Sequence, residues 1–351
     1  MSLIDFRKKQ KTHRRASGLG RKHLRKNQWR NPYWWGFYSI LVLLLLLIGL
    51  GVHSCTKKQQ EEAGDSEEIV AEQEKETLFQ PALTEQTLQI GEEAESEYGV
   101  LLELQSGKII ADRSSGERMN PASMTKILTL LVAAEQIPDR RGTFTMTEEI
   151  GDYCYTNDCS VVGYQTGEAI PIVELFYGCI QSSGADASLA LAEVAAGSHE
   201  AFVALMNGKI RALGRANTAH FTNCVGVYDK DHYCTAQDMA VFLKAALDNP
   251  FCRMVLSTRV YQSSPTDEHP EGMVLSNWFI RRIEDRDAGD ITVLGGKTGY
   301  VVESKNCAAS FGKNSAGKEF ICVTGKGSGS WQVLDDHAAI YKKYCSKPEG
   351  T

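Results

Sequence analysis

The chain predicts an α+β fold: an antiparallel sheet flanked by helices, with an inserted helical subdomain, preceded by one transmembrane helix. Three observations carry this reading. Strand patterns stand at both ends of the C-terminal part, helix patterns fill the stretch between them, and a long uncharged run lies ahead of both. Strands that begin and end a domain must meet to pair, so distant segments close one sheet and the intervening helices cover it.

The N-terminal third is organised by charge. Residues 1–32 hold eleven Lys or Arg against one acid, Asp5. Trp34 to Val52 then runs nineteen residues without a charge, centred on LVLLLLLIGL, which is long enough to cross a bilayer. The reading is a basic cytoplasmic tail over 1–32 and a transmembrane helix over 33–53, with everything beyond it exported. A basic leader of this length, with no clean small-x-small site after it, argues against a cleaved signal peptide. Cys55 ends a weak lipobox-like stretch in which His53 fits poorly. Residues 54–95 are rich in Glu and Gln and show no sustained period, so they read as an acidic disordered stalk carrying a domain over 96–351. The whole chain is at net charge -6 despite its basic leader, so the exported part is acidic. That argues against an electrostatic nucleic-acid binder, and the adjacent span accounts for the basic tail.

Within the domain, Gly99 to Leu104 and Lys108 to Asp112 read as two strands around a Gln105-Ser106-Gly107 turn. Asn120 reads as an N-cap and Pro121 as the first residue of a helix whose Met124, Ile127, Leu128, Leu130, Leu131 and Val132 are apolar almost all round. Such a helix is buried between layers. Further helices run from Pro171 to Ser182, from Gly184 to a stop at Gly197, from the Ser198 cap to Gly214, and from the Thr235-Ala236-Gln237-Asp238 capping box. Strands follow over Ile291 to Leu294, Gly299 to Glu303, Ala308 to Phe311 and Phe320 to Thr324, and a helix from Trp331 to Tyr344 closes the order. Ten cysteines in an exported chain suggest disulfides. Cys154 with Cys159 and Cys224 with Cys234 flank polar loops and are the expected pairs, whereas Cys179 and Cys322 sit in apolar runs as small hydrophobes.

The chemistry lies in three ordered motifs. Ser123-Met124-Thr125-Lys126 opens the apolar helix, where the positive field of the N-terminus favours an alkoxide and Lys126 falls on the same face one turn later. Burial disfavours an ammonium, which suits a lysine acting as general base. Ser183 with Gly184 falls on a short turn between helices, where the glycine relieves the backbone and the serine can project into a cleft. Lys297-Thr298-Gly299 lies on a strand after Gly295-Gly296, offering a cation and a hydroxyl along a cleft wall. A phosphate-binding loop ending in Gly296-Lys297-Thr298 fails because Ile291 stands where its first glycine belongs. No GxSxG elbow, CxxC pair or HExxH helix occurs, so a histidine triad and a zinc site have no sequence support, and no metal or cofactor is expected.

From about Ser96 onward the sequence resembles the low-molecular-weight penicillin-binding proteins, the serine D-alanyl-D-alanine carboxypeptidases. The resemblance rests on NPASMTKILTLLVAAE, YGCIQSSGADASLALAE, HFTNCVGVYDKDHYCTAQDMA and GGKTGY, in family order. It implies the fold shared with serine beta-lactamases, a peptidoglycan stem peptide ending in D-Ala-D-Ala as substrate, and beta-lactams as inhibitors. It also implies that Ser123 is the nucleophile, Lys126 its base and Ser183 a proton relay. Lys297 and Thr298 would bind the substrate carboxylate, with Gly299 letting its backbone approach, and the NH groups of Ser123 and Tyr300 would form the oxyanion hole. The expected location is therefore a bacterial cell membrane, with the catalytic domain extracytoplasmic.

Two positions depart from the family pattern. Ala185 stands where the family has the asparagine of its SGN motif, and no arginine follows Arg286, with Trp331 ahead of the last helix. Ala185 opens a second reading, a catalytically silent peptidoglycan-binding module. A class A beta-lactamase is a third, but it requires an ExxLN segment that is not found.

Overall fold

The structure, a computed structural model, describes residues 78–345. The expected basic tail, the transmembrane helix, residues 54–77 of the expected stalk and Cys55 lie outside the described residues. Among those described, no single helix is long and apolar enough to cross a membrane.

In chain order the described elements begin with three strands, β1 (Leu88–Gln89), β2 (Tyr98–Glu103) and β3 (Ile109–Arg113). A 3₁₀ turn at Ala122–Met124 leads into α1 (Thr125–Gln136), followed by β4 (Thr143–Thr145), α2 (Glu148–Thr156) and β5 (Ala169–Pro171). Then come α3 (Ile172–Gln181), α4 (Ala185–Ala196), α5 (His199–Ala212), α6 (Ala236–Asp248) and α7 (Pro250–Ser257). The hairpin β6 (Val260–Gln262) and β7 (Val274–Ser276) and the short α8 (Ile280–Ile283) precede the long strands β8 (Ile291–Val301), β9 (Lys305–Asn314) and β10 (Glu319–Gly327). α9 (Gln332–Cys345) is the last element.

The main sheet has the order β1-β3-β2-β10-β9-β8, so the first strands meet the last ones at β2 and β10, as the sequence order requires. Val100, Leu101 and Leu102 are fully buried in succession, which means that β2 is covered on both faces. One face packs under α1 and the helical part, in a core that includes Val100, Leu102, Leu128, Phe242 and Phe311. The other packs against α9, through Leu101, Phe279, Cys322, Leu334 and Tyr341. α1 is buried continuously from Thr125 to Ala134: its apolar residues enter the core, and its polar Thr125, Lys126 and Thr129 bond internally to His232 and to the Val225 and Cys224 carbonyls. The capping box at the start of α6 forms as read, with the Thr235 side chain accepting from Asp238 N and the Asp238 carboxylate accepting from Thr235 N.

Four expectations need correction. The stalk ends sooner than 95: β1 pairs with β3, and Ile90 and Ala94 are buried against the sheet despite the acidic residues around them. That pairing is parallel, so the sheet is mostly antiparallel and not wholly so. The two expected strands over 291–294 and 299–303 are one strand, β8, with an irregularity between Val293 and Gly295. A side chain at Gly295 would meet Phe311 and the Leu256 carbonyl, and one at Gly296 would meet Phe279, so the double glycine allows close packing and does not end the strand. Finally, Cys154, Cys159, Cys224 and Cys234 are all free thiols. Cys224 and Cys234 are wholly buried and behave as small core residues.

Candidate active site

Ser123 lies on the 3₁₀ turn and not in the α-helix itself. Asn120 caps this turn, its Oδ1 accepting from Ala122 N at 2.9 Å, and Ala122 takes a positive φ of 46° to bring the turn round. Lys126 is one turn on, only 2 % exposed, and its Nζ is 3.0 Å from Ser123 Oγ. Burial pulls its pKa below the ordinary lysine value. The expected pairing of a helix-start serine with a buried lysine is thus present.

Ser183 occupies the turn between α3 and α4, but the backbone strain falls on the serine and not on the glycine. Ser183 has a φ of 55°, whereas Gly184 has an ordinary negative φ. Gly184 is needed for space instead: a Cβ there would lie 2.5 Å from the Val162 side chain. Ser183 Oγ accepts from Lys297 Nζ at 2.9 Å, and the same amine donates to the Thr298 carbonyl at 2.7 Å. Lys297 is 4 % exposed, and burial, reinforced by the nearby Lys126, lowers its pKa to about 7. Both lysines direct these bonds to uncharged oxygens, so neither charge is neutralised there.

Ser123, Ser183, Lys297, Thr298, Gly299 and Tyr300 share one cavity of about 560 Å³. A second lobe of about 310 Å³ opens on the other side of Ser123 and is lined by Lys126, Ala185, Val225 and Tyr300 among others. All seven predicted residues are therefore brought together. Gly299 permits this closeness, since a Cβ on it would be 2.9 Å from the Ala122 Cβ, the Pro121 carbonyl and the Cys307 Sγ. Tyr300 is 61 % exposed at the mouth.

Several further residues shape the site. Asn277, 2 % exposed, donates to the Gly296 carbonyl at 3.1 Å and accepts from Ile280 N at 3.0 Å, tying α8 to the Lys297 strand. Asp186 accepts from Val162, Gly163 and Ala187 NH groups and thereby pins the cleft wall to the start of α4. His232 is buried, with a pKa lowered to about 3 by that burial; its Nδ1 accepts from Thr222 N, leaving Nε2 to donate to Thr125 Oγ1 at 2.8 Å. Its role is structural, beneath the turn that carries Ser123. Lys126 Nζ also donates to the Val225 carbonyl at 2.6 Å, a main-chain contact that residue types alone do not disclose. Among the described residues no group of three or more His, Cys, Asp or Glu could hold a metal ion.

A hydroxyl beside a buried amine of lowered basicity, in a cleft with a second lysine, is suited to acyl transfer through a serine. The chain belongs to the D-alanyl-D-alanine carboxypeptidase family of S11 peptidases, whose model matches residues 83–325. It is 32 % identical over 241 residues to D-alanyl-D-alanine carboxypeptidase DacF of Bacillus subtilis, covering 68 % of this chain and 59 % of that protein. To DacA of Escherichia coli it is 34 % identical over 161 residues, 44 % of this chain and 39 % of the relative. The chain thus spans about three-fifths of the length of the first relative and two-fifths of the second. Among solved structures, a D-alanyl-D-alanine carboxypeptidase from Mycobacterium tuberculosis superposes with a TM-score of 0.65 at 23 % identity, covering 76 % of this chain and 97 % of that one. The S216A mutant of the Streptomyces K15 DD-transpeptidase gives 0.65 at 24 %, with 72 % and 97 % coverage. These likenesses show the fold.

Proposed function

We propose that the protein is a membrane-anchored serine D-Ala-D-Ala carboxypeptidase that trims peptidoglycan stem peptides through a Ser123 acyl-enzyme. The observation that carries this is the 3.0 Å approach of the buried Lys126 amine to Ser123 Oγ. With its pKa lowered, Lys126 can be neutral and take the hydroxyl proton as Oγ attacks the carbonyl carbon of the penultimate D-Ala. The new C–O bond makes a tetrahedral oxyanion, held by the NH groups of Ser123 and Tyr300 as the family likeness implies. Collapse breaks the C–N bond, and the leaving D-Ala amine takes a proton passed from Lys126 by way of Ser183. Water then attacks the ester, Lys126 accepts its proton, and Ser123 is regenerated. Lys297 and Thr298 would hold the terminal carboxylate in the larger cavity. That anion would in turn favour the charged form of Lys297, so substrate supplies the counter-ion the site lacks.

The nineteen-residue uncharged run and the basic residues before it support the anchor, with the N-terminus cytoplasmic and the domain outside a bacterial membrane. The test is to incubate the full chain, in detergent, with a fluorescent penicillin and with a pentapeptide ending in D-Ala-D-Ala. One covalent adduct by intact mass, absent from Ser123→Ala, and release of D-Ala are expected. An adduct that persists in Ser123→Ala would remove the assignment.

A further inference from the structure

Lys126 has no asparagine at position 185 to hold it, yet its amine is not free to turn. The Val225 carbonyl accepts from Nζ at 2.6 Å, a shorter approach than that of Ser123 Oγ. Val225 belongs to a tight loop gathered around one side chain. Asn223, 4 % exposed, accepts at Oδ1 from the NH groups of Val225 at 3.2 Å, Gly226 at 2.6 Å and Val227 at 3.2 Å. Its Nδ2 donates to the Val227 carbonyl at 3.1 Å. The loop is also fixed from outside: the Cys224 carbonyl accepts from Thr129 Oγ1 at 2.7 Å, one turn along α1 from Lys126. Gly226, at a φ of 86°, sits so close to the nucleophile turn that a Cβ would lie 2.0 Å from the Ala122 carbonyl oxygen.

We infer that Asn223 is a positioning residue for the general base: it holds the loop so that the Val225 carbonyl orients the Lys126 amine toward Ser123. The inference rests on the acyl-enzyme reading above. A neutral amine has two N–H bonds and one lone pair. With one N–H committed to Val225, rotation about the Cε–Nζ bond is restricted, and the lone pair can face the Ser123 hydroxyl proton. After proton transfer the same carbonyl accepts from an ammonium, a stronger bond than before. The loop therefore contributes most when the base has received its proton, and it does for Lys126 what an amide on α4 would otherwise do.

The groups that face Lys126 and could confound a pH test are Cys179 of α3, Cys159 of the loop after α2, Cys224 of the loop itself, Asp186 of α4 and Lys297 of β8. All are unchanged in the variants below. The experiment measures the acylation rate of the full chain by a fluorescent penicillin from about pH 5 to 10, separating the limiting rate from the saturation constant. Asn223→Ala should lower the limiting rate by at least about tenfold with little change in saturation, because the base and not the binding cleft is disturbed. Asn223→Asp keeps an acceptor for the three NH groups but places a carboxylate near the amine. Its acid limb should move upward by roughly half to one pH unit, with a rate at high pH near that of the parent. An Asp variant whose acid limb coincides with the parent's would overturn the inference, and it decides the matter even where the Ala variant does not fold. Absence of any acylation in the parent chain would instead remove the acyl-enzyme reading, so the two failures are distinguishable.

Discussion

Replacing Lys297 by methionine should make the protein more stable while weakening its hold on a peptide substrate. Lys297 is 4 % exposed and its pKa is about 7, through burial first and the neighbouring Lys126 second. An unfolded lysine titrates near 10.4, so over roughly pH 7 to 10.4 the unfolded chain binds the extra proton. Stability from this group therefore rises with pH across that window, and the cost of the buried charge is complete and constant below about pH 7. A difference of about 3.4 pH units corresponds to a cost on the order of 4–5 kcal/mol. Methionine keeps the stem and removes the charge, but it loses the bonds to Ser183 Oγ and the Thr298 carbonyl, each worth about 0.5–1.5 kcal/mol. The net gain is about 2–4 kcal/mol, or roughly 3–14 °C in Tm for a domain of this size at about pH 6. The gain should shrink toward pH 10. Thermal unfolding of both full-length proteins in detergent, followed by near-ultraviolet circular dichroism across this range, measures it. A Lys297→Met protein that melts at or below the parent at pH 6, or a gap that widens with pH, would refute the reasoning.

Two other outcomes follow from the same geometry. Lys126→Ala should abolish acylation by a fluorescent penicillin, whereas Lys297→Met should chiefly raise the concentration of D-Ala-D-Ala peptide needed for half-saturation; equal loss of limiting rate in both would contradict this division. Gly226→Ala should destabilise by about 2–5 kcal/mol, adding the left-handed backbone penalty to a clash with the Ala122 carbonyl, and should slow acylation by shifting the nucleophile turn; an unchanged melting curve would contradict the close approach.

Much of the fold was readable because local signals and tertiary packing agree. The all-round apolar pattern after Ser123 gave a buried helix, and Thr235 with Asp238 gave a cap that forms as written. The errors share a cause. β1 is two residues in a Glu- and Gln-rich stretch, held by pairing to β3 and by Ile90 and Ala94, which no local period announces. Gly295 and Gly296 read as a break because the residues that require glycine there, Phe311 and Phe279, come from distant segments. The cysteine pairs were inferred from spacing and compartment, neither of which measures how two thiols are packed. At the site, the seven residues read from the motifs lie together. What escaped was the support around them: Asn277 and Asp186, which hold the cleft walls, and main chain, since a carbonyl such as that of Val225 belongs to any residue type. The side chain that places it, Asn223, lies within HFTNCVGVYDKDHYCTAQDMA, a segment already marked by the family likeness but without a role.

Ala185 is where these threads meet. Restoring the absent amide with Ala185→Asn has two possible partners to gain, the substrate and Lys126. Lys126 is already oriented by the Val225 carbonyl at 2.6 Å, so a second acceptor adds little to its placement. Asp186 does not stand in for the amide, because its carboxylate is committed to the Val162, Gly163 and Ala187 NH groups. Position 185 borders the smaller lobe of about 310 Å³, and with Ala185 only 1 % exposed a larger side chain reaches a bound peptide only by extending into that lobe. The gain is then limited to a single hydrogen bond, about 0.5–1.5 kcal/mol, or roughly twofold to tenfold in acylation efficiency. It should be seen in saturation, with the limiting rate and the acid limb of its pH profile unmoved. An increase beyond about a hundredfold, or a shift of that limb, would mean that Lys126 is poorly held in the parent and that the Val225 carbonyl is not its working partner. The expected small effect would instead mean that loss of the asparagine leaves the base in place, which removes the main physical ground for regarding this site as silent.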